Sequence, residues 1–141
     1  MKLDYDLIRK QLTDIEEERD VLADIPQKPN WNDSSWTDWE EYEKELNKAK
    51  AIESRIAGHL EILLLNGYAD GFGVVRGAGG DEFSYGTFTP RLTLAGHELL
   101  ATMRSKDLWE KIKSTAESKG FELTFEFIKI TASAVVQSFF K

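Results

Sequence analysis

Ile8, Leu12, Ile15 and Leu22 recur at helical spacing near the start of the chain, with Arg9, Lys10, Asp14 and Glu17 between them. That pattern predicts an amphipathic helix over about 4–22, whose apolar stripe needs a partner. The stretch DIPQKPNWNDSS (24–35) holds two prolines and a cluster of Asn, Asp and Ser, which predicts an irregular connection. Ser35 with Asp38 and Thr37 with Glu40 both have capping-box spacing and would start a helix near Trp36. From Trp36 to Asn66 there is no proline and one glycine, Gly58, so the stretch reads as one long helix or as two joined by a tight turn. Ile52, Ile56, Leu60, Leu63 and Leu64 form its apolar face, which should stop at Asn66 and Gly67.

The periodicity then changes. YADGFGVVR (68–76) and residues 83–93 flank GAGGDE, the pattern of a β-hairpin with a glycine-rich tip, and Pro90 belongs at an edge or a bulge. Thr93 can cap a helix from Leu94, with Leu94, Leu99, Leu100 and Met103 set against Trp109 and Ile112, and Ser105 or Asp107 can restart it. Phe121, Leu123, Phe125 and Phe127 alternate with polar residues as a strand would. A helix is preferred there, with Thr124 as N-cap, Leu123 and Ile128 as a staple, and Ile128, Ala132, Val135 and Phe139 on one face.

This order predicts a mainly helical α+β fold: a winged helix-turn-helix with a β-hairpin wing and extra C-terminal helices. Gly67 would let the chain reverse after the third helix, and the LTLAG turn would carry the last wing strand into a helix packed on the first. A single domain over 1–141 is expected, with 19–50 as an acidic, Trp-rich insertion and 105–141 as a helical extension.

Composition narrows the possible activities. With 41% hydrophobic residues the 141-residue chain can bury a core. No apolar run approaches the length of a membrane span, and MKLDYDLIRK lacks the apolar region of a signal peptide. A cytoplasmic location is therefore expected, and the absence of cysteine agrees with it. The net charge of −7 is uneven: 8 basic and 14 acidic residues in 1–50, 3 and 6 in 51–100, 7 and 5 in 101–141. Attraction for a polyanion would have to come from a local patch.

HLEILLLNGYADGF (59–72), RLTLAGHELLATMRSKDLWEKIK (91–113) and the opening MKLDYDLIRK together resemble a family of small phage, prophage and bacterial proteins, domain of unknown function 2513. The three blocks cover about half the chain. The resemblance implies a winged-helix fold and carries no established activity. The chain departs from the family pattern between Glu18 and Ala51, an acidic stretch holding Trp31, Trp36 and Trp39.

On the winged-helix reading, the third helix would offer Lys48, Lys50, Ser54, Arg55 and His59 to a major groove, with Arg55 and His59 reading bases. Arg76 and Arg91 on the wing would join Lys48 and Lys50 in holding phosphates, while Asp81 and Glu82 at its tip would oppose them. The plainer reading is a solvated helix face, since Lys48, Lys50 and Arg55 stand against Glu53 and Glu61. His59 and His97 lack the neighbours of a metal or acid-base site and read as structural. GFGVVRGAGG is followed by neither Gly-Lys-Ser/Thr nor a helix, which suits a flexible wing more than a phosphate cradle.

The first expectation is thus a non-catalytic, cofactor-free nucleic-acid-binding accessory or transcriptional regulator acting on double-stranded DNA. The alternative is a protein-interaction module in which Trp36, Trp39, Tyr42 and Glu43, among Asp33, Asp38, Glu40, Glu41 and Glu45, face a basic host or phage protein. The plainer reading of those aromatics is packing on helix 1. Phe139 and Phe140 extend an apolar surface to the end of the chain and suggest a homodimer contact; the bland counterpart is docking on the protein's own core.

Overall fold

The computed structural model describes every residue except 34, 80, 81 and 141. Its elements run α1 (Tyr5–Glu16), α2 (Trp39–Leu65), β1 (Ala69–Arg76), β2 (Phe83–Leu92), α3 (Leu94–Arg104), α4 (Lys106–Lys119) and α5 (Phe125–Ser138), a mainly helical α+β arrangement. The chain divides into two compact units, Met1–Thr93 and Leu94–Lys141. The second begins earlier than the helical extension expected from 105, because α3 packs on α4.

In the first unit, the Asp4 carboxylate caps α1 by accepting from the N–H groups of Asp6 and Leu7. The helix ends at Glu16, six residues short of the expectation. Glu18 takes a left-handed conformation (φ 59°), and the Arg19 N–H donates to the Asp14 carbonyl at 2.7 Å while the Glu18 N–H donates to Ile15. This Schellman turn is built without the glycine that usually marks it. Ile8, Leu12 and Ile15 are buried, and Val21 remains buried beyond the helix end.

A single unbroken helix occupies 39–65, so the tight turn of a helix-turn-helix is absent from that stretch. It starts three residues later than expected, at the Asp38 cap, whose carboxylate accepts from the Glu40 N–H. Gly58 does not break it, and the Met1 thioether lies over the glycine at the distance a Cβ would contact. Ile56, Ala57, Leu60 and Leu63 are buried, whereas Ile52 is 41% exposed. The helix stops at Asn66, with Gly67 at φ 72° and the Tyr68 N–H donating to the Leu63 carbonyl at 2.9 Å.

β1 and β2 pair antiparallel, and both pack on α2, with α1 also touching β2. Ala69, Phe72, Phe83 and Leu92 are the buried residues of the ribbon. The register slips between Asp70↔Arg91 and Phe72↔Thr87, leaving Gly71 opposite Phe88, Thr89 and Pro90. Pro90 therefore lies at a bulge, as expected. Gly71 sits at φ 83°, and any Cβ would overlap the Thr89 carbonyl. The Gly77 N–H donates to Glu82 at 2.7 Å and closes the tip; Asp81, expected there to oppose phosphates, lies outside the described residues.

In the second unit, Ser105 is the N-cap residue of α4 and Gly120 (φ 69°) ends it. The Thr124 hydroxyl caps α5 by accepting from the Phe127 N–H at 3.1 Å, so the preferred helix is the one formed. Leu99, Leu100, Met103, Trp109, Ile112, Ala116 and Ile128 are buried. Leu94, expected in this core, is exposed, as are Val136, Phe139 and Phe140 at the end of α5.

Two substitutions test the backbone argument. Gly71→Ala combines left-handed strain with a steric overlap and is expected to cost about 2–4 kcal/mol in chemical denaturation; a loss within error of zero would remove the bulge's requirement for glycine. Glu18→Gly relieves the only left-handed non-glycine among the described residues and is expected to add about 1 kcal/mol, with no gain counting against the Schellman assignment.

Candidate functional site

Of the residues expected to face nucleic acid, His59 is buried and Arg55, Arg76 and Arg91 are paired with carboxylates. His59 is fully buried: its Nδ1–H donates to the Arg55 carbonyl at 2.7 Å, and its Nε2 accepts from the Asp4 N–H at 2.9 Å. A carbonyl can only accept and an amide N–H can only donate, so these partners select the neutral Nδ1–H tautomer. Base reading by His59 is corrected accordingly, since both ring nitrogens serve the α1–α2 contact. Arg55 pairs with the Asp4 carboxylate, Arg76 Nε with Glu61 at 2.9 Å, and Arg91 Nε with Asp70 at 2.5 Å.

Arg76 also reaches toward Gly58, one turn from Arg55, and lies over the Phe83 ring at 4.8 Å. Arg55, His59 and Arg76 are thus brought to one region of α2, together with Asp4 and Glu61. Ser54 and Lys50 are half-buried on the same helix, and Lys48 is exposed. The charged cluster is internally balanced. A sequence tally could not see this, because each carboxylate partner comes from a different element or a distant turn.

At the other end of α2 the connection folds back on the helix. Trp31 and Trp36 belong to the connection, Trp39 and Tyr42 to the first turns of α2, which corrects the placing of Trp36 on that helix. Around Tyr42, which is buried, ring centroids lie at 5.4 Å (Trp31), 5.6 Å (Trp36) and 5.2 Å (Trp39), and Trp31 meets Trp39 edge-on at 4.9 Å. Such packing orders the rings. It still leaves Trp39 55% and Trp31 39% exposed. Asp33, Asp38, Glu40, Glu41, Glu43 and Glu45 of the same stretch are exposed.

Beside the cluster lies a groove of about 310 Å³ lined by Pro26, Gln27 and Pro29, by Trp36, and by Glu45, Lys48, Ala49 and Ile52 of α2. Between the two prolines, Lys28 donates to the carboxylate of Glu53 at 3.1 Å, and the Tyr85 hydroxyl donates to the same buried carboxylate at 3.0 Å. Burial first, and then this carboxylate, pushes the Tyr85 phenol upward. The connection is also tied to α1: Lys10 donates to Asp14 at 2.7 Å and Asp24 at 2.9 Å, bonds that raise its ammonium, and Arg19 reaches Asp14 at 2.9 Å.

Of the groove's wall residues, sequence reasoning singled out Trp36 and Glu45 for the acidic aromatic surface and Lys48 for a phosphate contact, but not Pro26, Gln27, Pro29, Ala49 or Ile52 as parts of a site. The one available signal was Ile52, an apolar residue at the polar margin of a helical stripe. Among the described residues no group of three or more His, Asp or Glu is placed to hold a metal ion, and no helix is long and apolar enough to cross a membrane.

The chain belongs to the family described as hypothetical protein DUF2513, whose model matches residues 2–122. It is 38% identical over 45 residues to an uncharacterized protein of Haemophilus influenzae, a match covering 32% of this chain and 38% of that relative's length. No solved structure matches. The family match ends before α5 begins.

Burial holds the pKa of His59 below its usual 6.5, an effect to which the nearby Arg55 charge also contributes. The unfolded chain therefore takes up a proton first as pH falls. The stability contributed by neutral His59 is complete above about pH 6.5 and is lost as pH falls toward the lowered value. The unfolding midpoint is expected to drop across that window in the wild type and to change less in His59→Gln; equally steep declines would remove His59 as the cause.

Proposed function

We propose that this protein is a non-catalytic protein-interaction module whose working surface is the aromatic, acidic face formed by the connection and the start of α2. The observation that carries this reading is the exposure of Trp31 and Trp39 from an ordered ring cluster in a stretch rich in exposed carboxylates. Large, rigid, partly exposed aromatics are the side chains that anchor protein interfaces. A locally negative surface steers positively charged partners and repels polyanions.

Duplex DNA contact through α2 and a hairpin wing, the arrangement of a winged helix, is the second reading. It is favoured by the approach of Arg76 toward the turn of α2 that follows Arg55. Against it, each of these arginines already meets a carboxylate, and displacing that partner subtracts from any gain at a phosphate.

Affinity capture from bacterial lysate separates the two readings when wild type is compared with a Trp39→Ala, Glu43→Lys double variant. Glu43 is exposed, and its change is expected to alter stability by no more than about 0.5 kcal/mol, whereas losing the Trp39 ring contacts is expected to cost about 1–2 kcal/mol, so the variant's fold is checked by its unfolding transition. At least one partner held by the wild type is expected to be lost from the variant. An identical set of partners, combined with salt-dependent binding to mixed duplex DNA that Arg55→Glu abolishes, would replace this reading with the second.

A further inference from the structure

We propose, building on the interaction reading above, that the groove takes one uncharged apolar side chain of a basic peptide segment, and that Trp31 and Trp39 take an arginine or lysine of the same segment. The groove's walls are largely apolar: Pro26, Pro29, Trp36, Ala49 and the 41% exposed Ile52. Its volume of about 310 Å³ stands at the small end of ligand pockets, about 300–1,000 Å³, and suits a single anchoring side chain. Glu45 and Lys48, one turn apart in the same lining, oppose each other in charge, so the slot itself favours a neutral occupant.

The surroundings are different. Asp33, Asp38, Glu40, Glu41 and Glu43 are all exposed in the stretch of chain that carries the indoles, with Lys44 the basic residue among them. A cation placed on Trp39 or Trp31 gains from the ring face, about 0.5–1 kcal/mol at an exposed site, and from these carboxylates together. The partner is therefore identified by charge complementarity as a cationic segment of another protein, and an anionic nucleic acid or lipid surface is disfavoured by the same field.

Geometry also sets the spacing. From Trp39 to Ala49 the helix rises about 15 Å. Extended chain covers about 3.3 Å per residue, so the cation and the apolar anchor should stand four or five residues apart. The connection forms the opposite wall, tied at Lys28 to Glu53, so the slot is in place before a partner arrives.

The test is selection of a random linear peptide library on the full-length chain, followed by titration of the enriched peptides against variants. Enriched peptides are expected to carry Arg or Lys four or five residues from Leu, Ile, Phe or Trp, and to weaken as salt is raised. Ile52→Ser and Trp39→Ala alter partly exposed side chains, and each is expected to weaken binding about tenfold while the variant still unfolds cooperatively at a modestly lower midpoint. Peptides that need Trp39 but lack cations and ignore Ile52→Ser would overturn this inference and leave the interaction reading standing. Peptides indifferent to both variants, with lysate partners likewise indifferent to the Trp39→Ala, Glu43→Lys change, would overturn both. Duplex DNA that displaces a selected peptide would overturn the assignment of a cationic partner.

Discussion

A carboxylate that cannot reach water organises the first unit. Glu53 is buried in the middle of α2, where an unpaired negative charge would be strongly unfavourable, and its compensation comes from Lys28 on the connection and Tyr85 on β2. Three segments distant in sequence must therefore meet at one place for the charge to be tolerated. That constraint pins a proline-rich stretch with no regular structure against a helix, and the groove exists because of it. Apolar packing alone would hold α2 to the hairpin, but it would not specify where Pro26 and Pro29 lie.

A second polar contact does the same for α1. His59 joins an Asp4 N–H to an Arg55 carbonyl, while the Asp4 side chain both caps α1 and pairs with Arg55. Each group has more than one task, so the start of α1, the middle of α2 and the neutral state of an imidazole are coupled. Charge is used twice in this protein. Within the paired clusters around Asp4, Asp14 and Glu61 it fixes one segment on another, and in the stretch around Trp39 it is left open to solvent.

Much of the fold was legible in local signals. Asn66-Gly67 and Thr124 mark helix boundaries because their side chain or backbone freedom acts within one turn, and Pro90 marked a bulge because it lacks an N–H. The early stop of α1 was not legible, since Glu18 adopts a conformation that composition assigns to glycine. The continuity of α2 was not legible either: Gly58 left a break open, and a single glycine inside a long helix is a small local cost that the packing of Ile56, Ala57, Leu60 and Leu63 outweighs. Site residues followed the same division. The Trp31 to Tyr42 cluster could be found from spacing and charge, but the burial of His59 and the pairing of Arg55, Arg76 and Arg91 depend on contacts up to 55 residues away in sequence.

The slipped register of the β-ribbon has a further effect. A lone two-stranded ladder exposes rows of unused backbone groups, which are templates for strands of neighbouring molecules. Here the bend at Gly71 and the missing donor of Pro90 interrupt the row on β2 partway along its length. Phe88, almost wholly solvent-exposed, lies within that interruption. A sticky side chain thereby sits at a break in the ladder and not on a long flat margin, the kind of edge on which foreign strands stack.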